Sequence, residues 1–370
     1  MKTKILFFHF DLGNGGAEKV LINLLKCLEY SKYDVTLYLL FKHGINLSSL
    51  PSNVRLKYLF NRAPFRGIIH LLKLLSPKAL HKLLIKEKYD IEIAYLEGAP
   101  TRIISGCPDR DTKLFSWIHT QAGKSFFKSY RSLREAEKTY YRFNKVIFVS
   151  EFAKQTFLDT TGWSNLSLGV CHNVINTDEI KVLSKESIDL QLSHSKINMC
   201  SVGRLNKIKG YSRLVCILGE LKNNITQDWQ LYILGQGEEK QLIEDAIREN
   251  KLQEHIHLLG YDMNPYKYVS KMDLFICSSY AEGYSTAVTE SIIVGTPVIT
   301  TECSGMSEIL GDSQAGIIVE NSDDGLRYIL KDLLTGKIDL DTLKVNAIKR
   351  SNYFNQSNNI KEFEDVINEL

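Results

Sequence analysis

Glu282 and Glu290, with seven residues between them, stand in the segment Tyr280-Ala281-Glu282-Gly283-Tyr284-Ser285-Thr286-Ala287-Val288-Thr289-Glu290. An apolar run at 274–278 precedes it and a helical pattern follows, so Glu282 falls in a loop and Glu290 about one turn into a helix. Both can then face one side, where Glu290 accepts the two hydroxyls of a ribose and Glu282 binds sugar hydroxyls. Ser285 or Thr286 fits an N-cap that leaves helix N–H groups for a phosphate. Taken alone, Glu290 also reads as an acid complementing the helix dipole. A cationic pair comes earlier, in Ser201-Val202-Gly203-Arg204-Leu205-Asn206-Lys207-Ile208-Lys209-Gly210. Arg204 can fork onto phosphate oxygens and Lys209, five residues on, can bring a second cation to the same diphosphate; as isolated loop residues they read equally as a solvated patch.

Two further features have the right place for chemistry. Gly13-Asn14-Gly15-Gly16 opens a helix after a strand, where bare backbone and a helix start attract an anion, although a tight turn alone explains it. A nicotinamide-dinucleotide site would space its third glycine further on and end the second strand on an acid. Here the third glycine follows directly and the second strand runs into Phe41-Lys42-His43, which weakens that reading. His119 ends the apolar run 113–118 ahead of the loop 120–124; it is one of nine histidines, and a structural role stays open. Gly235-Gln236-Gly237 reads mainly as a turn.

Such groups need strands that end together. Runs at 5–10, 34–41, 91–95, 113–118 and 145–149 read as strands with helical segments between several of them, which implies a parallel sheet covered by helices. After a polar stretch at 176–196 the pattern restarts at 197–202, 229–234, 255–259, 274–278 and 297–300, with helices at 211–221 and 238–249. The chain of 370 residues is about two and a half times a ~150-residue domain. Two α/β domains with a cleft between them are expected, and ligands in such folds lie beyond the carboxyl ends of strands.

Composition narrows the classes. With 44% hydrophobic and 24% charged residues the chain reads as an ordinary globular protein. Seven scattered cysteines without a Cys-x-x-Cys pair fit a reducing cytoplasm and neither a disulfide framework nor a zinc site. The amino terminus lacks a signal-peptide pattern, and no run approaches the ~20 apolar residues of a membrane span. The formal net charge of +3 divides into +12 through His172 and −9 beyond it, which suggests an anionic partner for the first half.

The motifs together resemble a known family. Gly-Gly-Ala-Glu at 15–18, Gly-Arg-Leu-x3-Lys-Gly at 203–210, and Glu-Gly-x6-Glu at 282–290 followed by Gly-Thr-Pro-Val-Ile resemble the retaining nucleotide-sugar glycosyltransferases of family 4, in order and over nearly the whole chain. The resemblance implies a GT-B fold of two Rossmann-like domains with parallel sheets facing across a cleft. Its parts would be an acceptor-binding domain at 1–175, a nucleotide-sugar-binding domain at 176–352, and a final helix at 353–370 returning to the first domain. It implies that Arg204 and Lys209 hold the diphosphate and stabilise the leaving group, and that Glu290 binds the ribose. Glu282, with backbone N–H groups around Gly283, Ser285 and Thr286, would hold the donor sugar. Gly15 and Gly16 would approach the donor phosphates, and His119 would contact the transferred sugar and support its developing positive charge.

The implied reaction moves a hexose-type sugar from a UDP- or GDP-linked donor to a glycan or lipid-linked acceptor in cell-surface polysaccharide, capsule or lipopolysaccharide synthesis. Attack from the donor's own face, with the departing phosphate taking the acceptor's proton, asks for preplaced cations more than for a strong base. No Asp-x-Asp triplet follows a strand end, so no metal and no other cofactor is expected. Residues 62–88 and 124–145 mix basic and apolar residues: Arg62, Arg66, Lys73, Lys78, Lys82, Lys86 and Lys88, then Lys124, Lys128, Arg131, Arg134, Lys138, Arg142 and Lys145. They read either as solvated basic faces or as segments lying on an anionic membrane, and with them the expectation is a cytoplasmic enzyme peripheral to the inner face of the cell membrane. Nucleic acid is not expected as a partner. An epimerase of the same fold and a non-catalytic sugar-binding protein are the alternatives.

Overall fold

The structure is a computed structural model that describes residues 2–13, 15–65, 67–123, 126–222 and 225–369, the side chain of Gln356 apart. Asn14 of the first glycine loop and Arg66 and Lys124 of the basic segments lie outside the described residues. The chain divides into two compact units, residues 1–175 with 356–370, and residues 176–355.

In the first unit seven strands form one parallel sheet: β1 (Thr3–His9), β2 (Tyr33–Phe41), β3 (Arg55–Phe60), β4 (Ile91–Ala94), β5 (Lys113–Ile118), β6 (Lys145–Phe148) and β7 (Leu168–Val170), in the order β3-β2-β1-β4-β5-β6-β7. Strands covered on both faces read as unbroken apolar runs, and Ile5 to His9 and Val35 to Phe41 are buried throughout. The edges β3 and β7 escaped the sequence reading because β3 alternates exposed and half-buried residues and β7 is three residues long. An aromatic cluster of Phe126, Tyr140, Phe157 and Trp163 fills one side of the sheet. The last helix, Gln356–Asn368, packs on this unit: Phe363 stacks on Phe7 at 6.1 Å between centroids, Asn359 donates to the Asn173 carbonyl at 2.8 Å, and Lys145 pairs with Glu369.

The second unit holds six parallel strands, β8 (Ile197–Val202), β9 (Trp229–Leu234), β10 (Ile256–Gly260), β11 (Leu274–Cys277), β12 (Val298–Thr301) and β13 (Gly316–Val319), ordered β10-β9-β8-β11-β12-β13. The polar stretch after residue 176 contains a helix, Thr177–Leu183, whose N-cap Asn176 accepts from the Glu179 N–H at 3.1 Å. In both sheets the strand order reverses beside the first strand, between β1 and β4 and between β8 and β11. Those two points are where loops leave in opposite directions and a ligand crevice opens. Among the described residues no helix is long and apolar enough to cross a membrane.

Candidate functional site

At the switch point of the second unit, β8 delivers the Arg204–Lys209 loop and its neighbour β11 delivers the Glu282 loop. Asn206 starts the single 3-10 turn Lys207–Lys209 by accepting from the Lys209 N–H at 3.2 Å. Gly210 then takes φ +67, with the Ser278 carbonyl 2.2 Å from where a Cβ would stand, so only glycine lets the two loops touch. Lys209 consequently reaches across and donates to Glu282 Oε1 at 2.6 Å, and the Ser279 hydroxyl donates to the same oxygen at 2.5 Å. The pair is largely enclosed, with 24% of the lysine and 11% of the glutamate side chain exposed. Burial pulls the Lys209 ammonium down, but the Glu282 carboxylate outweighs it and holds the pKa above that of an ordinary lysine. Burial, then the same carboxylate, raises the Cys277 thiol, which lies 4.0 Å from Glu282 Oε1 and stays protonated.

A brace beneath these loops gave no signal in the sequence. Arg213, in the helix Tyr211–Leu221, donates through Nε and Nη2 to the Ser278 carbonyl at 3.0 and 2.7 Å, and through Nη2 to the Ser279 carbonyl and Asn321 Oδ1, each at 3.0 Å. Its guanidinium also lies 3.8 Å from the Tyr280 ring centroid. Asn321 donates in turn to the Tyr280 carbonyl at 2.9 Å. One buried cation thus fixes the backbone from Ser278 to Tyr280, the stem from which Glu282 hangs.

Ser285 is the N-cap of the helix Thr286–Ile293, accepting from the Val288 N–H at 3.5 Å, and Thr286 is its first residue. Gly283 lies beside Gly305, whose absent Cβ would come 3.2 Å from the Gly283 carbonyl. Glu290 is buried within this helix and accepts from the Tyr266 hydroxyl at 3.3 Å. Arg204 stands apart, 56% exposed, with its Nε 3.9 Å from Glu238. It flanks an open cavity of about 510 Å³ lined by Leu205, Gly235, Gln236, Gly237, Lys240, Leu258, Leu259 and Gly260. The Gly235-Gln236-Gly237 turn therefore does more than reverse the chain. A Cβ on Gly235 would sit 1.8 Å from the Gly203 carbonyl and one on Gly237 2.1 Å from the Leu205 carbonyl, so both glycines let this turn close against the Arg204 loop.

In the first unit His119 follows β5 and is buried, its pKa pushed down to about 3 by burial with a contribution from nearby His9, so the imidazole is neutral. Its Nε2 has no partner among the described residues, and its ring lies 4.8 Å from Tyr95. Glu97, after β4, holds this corner by accepting from the His119 N–H at 3.0 Å and the Thr120 hydroxyl at 2.6 Å. His9 ends β1 in the same way. It is fully buried, its Nδ1 donates to the Asp11 carbonyl at 2.6 Å, and its Nε2 is likewise unpartnered. Both His9 and Glu97 were open to the strand-end rule that singled out His119. Gly15 is the N-cap of the helix Gly16–Cys27, and the Glu18 carboxylate folds back to within 2.2 Å of where a Gly15 Cβ would be.

Other metal-type groups have structural work. Asp109 and Asp111 bracket Lys88 at 2.9 and 3.6 Å ahead of β5, and Asp339 caps the helix Leu340–Ser351. The ligand-type atoms of buried His81, Glu92 and Cys107 lie within 4.8 Å of one another. His81 Nε2 and Glu92 Oε2 are 2.8 Å apart, a hydrogen bond and closer than the roughly 3.3 Å between two ligands of one tetrahedral ion.

Comparison with known proteins gives the geometry a context. Residues 184–350 match the family model described as glycosyl transferases group 1, and residues 14–179 the model of glycosyltransferase family 4. Over 351 residues, 89% of this chain and 90% of the other, the sequence is 28% identical to a Campylobacter jejuni protein named N-acetylgalactosamine-N,N'-diacetylbacillosaminyl-diphospho-undecaprenol 4-alpha-N-acetylgalactosaminyltransferase. It is 26% identical over 136 residues, 37% of this chain and 38% of the other, to the lipopolysaccharide core biosynthesis glycosyltransferase LpsD of Rhizobium meliloti. Among solved structures, Anabaena HepE in complex with UDP superposes with a TM-score of 0.74 at 16% identity, covering all of both chains. Sucrose-phosphate synthase of Thermosynechococcus elongatus superposes with a TM-score of 0.78 at 16% identity, over 100% of this chain and 99% of the other.

Proposed function

The chain belongs to the group 1 glycosyltransferases of the family 4 type, with the GT-B fold, and from that premise we propose that it is a retaining hexosyltransferase using a nucleotide diphosphate sugar. The observation that carries the site assignment is the Lys209–Glu282 pair at the switch point of the second sheet. A cation preplaced there meets the charge that grows on the departing diphosphate, and the pair costs no reorganisation when the bond breaks. Exposed Arg204 is available to fork onto the same phosphates, which is the reason we propose that transfer proceeds without a metal. Glu290, oriented by Tyr266, is assigned the ribose hydroxyls, and the open cavity beside Arg204 the base. Glu282 and the backbone at Gly283, Ser285 and Thr286 are assigned the donor sugar. The resemblance assigns Gly15 and Gly16 to the donor phosphates. It assigns His119 to the transferred sugar, supported by a neutral, buried imidazole whose Nε2 has no partner among the described residues.

A UDP-linked donor is favoured because structures sharing this fold are complexes with UDP, and a lipid-linked glycan acceptor because the Campylobacter relative is named for a diphospho-undecaprenol acceptor. Synthesis of a cell-surface polysaccharide or lipopolysaccharide at an anionic membrane face is the setting we propose. A thermal-shift screen of UDP and GDP sugars tests the donor. UDP sugars should raise the melting temperature through binding linkage, in EDTA as well as in magnesium. A stronger shift with GDP sugars, or a shift only with metal, would overturn those assignments. Consumption of donor without acceptor, giving a new nucleotide sugar, would favour an epimerase.

A further inference from the structure

We propose that the end of the helix Ile68–Leu74 and the start of the helix Leu133–Tyr140 form a membrane anchor in which Leu71, Leu74, Leu75 and Leu133 enter an anionic bilayer surface. This deepens the membrane setting of the function proposed above and rests on the first unit alone. Leu71 and Leu74, at i and i+3, share an exposed face of the helix and Leu75 follows as its extended C-cap, while Ile68 and Leu72 are buried. The presented side chains are unusually bare: Leu74 is 74% exposed, Leu133 64% and Leu71 53%.

What separates this knuckle from an ordinary frayed helix end is its backbone. A helix leaves its last carbonyls without partners, and in a bilayer such groups are costly unless the protein satisfies them. Here four successive carbonyls have guanidinium donors. Arg102, itself buried and paired with Glu135 at 2.8 Å, donates to the Leu72 carbonyl at 3.0 Å and the Leu75 carbonyl at 2.7 Å. Arg131 donates to the carbonyls of Lys73 and, at 2.8 Å, Leu74. The same bonds draw Leu133, two residues after Arg131, up to the knuckle. The exposed leucines are therefore carried on a backbone already prepared for a medium that offers no hydrogen bonds.

The surrounding charge selects the surface. From residue 35 to 86 the sequence contains no Asp or Glu. Lys78 and Arg134 flank the knuckle, are exposed, and pair with no carboxylate among the described residues. Three other members of the two basic segments are committed elsewhere: Lys88 to Asp109, Lys145 to Glu369, and Arg142 to the carbonyls of Ser105 and Cys107. Apolar side chains flanked by two unpaired cations, over a capped backbone, suit an interfacial anchor on anionic lipid.

Flotation of the full chain at low salt with vesicles of phosphatidylglycerol and phosphatidylcholine, and with phosphatidylcholine alone, tests the proposal. Wild type should float with the anionic vesicles. L71S/L74S/L133S should lower its partition coefficient at least tenfold, and K78E/R134E should abolish the preference for phosphatidylglycerol. Both variants change exposed residues and should keep the wild-type thermal shift with UDP. Equal flotation of the leucine variant, or no wild-type binding to anionic vesicles at low salt, overturns the anchor. So does a wild-type dimer, seen by sedimentation without vesicles, that the leucine substitutions dissolve; the patch would then belong to a second copy. If UDP shifts nothing in wild type, the donor reading fails and the flotation result still stands.

Discussion

Replacing Lys209 by methionine removes the cation that the account places at the breaking bond, and it also strands a carboxylate. At 2.6 Å and an effective dielectric near 20, the gross attraction between Lys209 and Glu282 is about 6 kcal/mol. Desolvation offsets most of that in the intact pair, but loss of one partner leaves Glu282, only 11% exposed, with the Ser279 hydroxyl and the weakly donating Cys277 thiol. Breaking a buried pair in this way costs roughly 3–5 kcal/mol of stability. Catalysis should fall by roughly 10²–10³, the usual effect of deleting one preplaced electrostatic donor. The two losses separate in the double variant K209M/E282Q, where no charge is stranded. Its melting temperature should recover most of the deficit, while kcat/KM for sugar transfer stays at or below the single-variant level. Steady-state transfer assays beside thermal melts read both quantities. If activity returns together with stability in the double variant, the pair is structural and the reasoning fails.

Glu290→Gln keeps the Tyr266 contact and removes the charged acceptor; the thermal shift with UDP should shrink at least tenfold in apparent affinity while the ligand-free melting temperature moves by less than about 1 kcal/mol equivalent. An unchanged UDP titration would remove Glu290 from the ribose. Arg213→Ala deletes the brace under Ser278–Tyr280 and should destabilise by about 3–5 kcal/mol, whereas Arg213→Lys, which keeps charge but not the fork, should fold and show a raised KM for donor. A lysine variant with wild-type kinetics would show that the fork holds nothing catalytic. Burial works against the His81 imidazolium, but the hydrogen bonds its ring donates to Cys107 and to the Glu92 carboxylate outweigh it and raise its pKa to about 9, above the unfolded value of 6.5. A raised folded pKa gives stability that is complete below pH 6.5 and is lost as pH climbs through 9. Denaturant melts from pH 6 to 9.5 should therefore show a loss of about 1–3 kcal/mol that is absent from His81→Gln; a flat wild-type profile would contradict the buried ion pair.

The central strands were legible because burial on both faces leaves a long apolar run, as in Val35 to Phe41. Three of the four edges were not: β3 carries Arg55 and Lys57 between half-covered apolar residues, β7 is three residues long, and β13, Gly316–Val319, has no buried residue to mark it as a core run. At the candidate site, residue type and position at strand ends exposed Arg204, Lys209, Glu282, Glu290 and His119, since a charged or titratable group ending an apolar run stands out. Arg213 and Asn321 escaped because their work is done on carbonyls far along the chain, and a helical arginine looks solvated until its partners are known. The Gly235 turn looked like punctuation because its meaning lies in the absence of a Cβ against Gly203. His9 and Glu97 were within reach, since His9 ends β1 and Glu97 follows β4, the strand between β1 and β5, in the way that marked His119.

Retaining, metal-free transfer from a UDP sugar is read most directly in the product itself. Incubation of the protein in EDTA with an α-configured UDP sugar and an undecaprenyl-diphosphate-linked glycan, followed by nuclear magnetic resonance of the new linkage, reads donor, acceptor, metal requirement and stereochemistry together. UDP release and an α-linked product are expected, both lost in K209M/E282Q. A β-linked product, or transfer that the double variant retains, would contradict it.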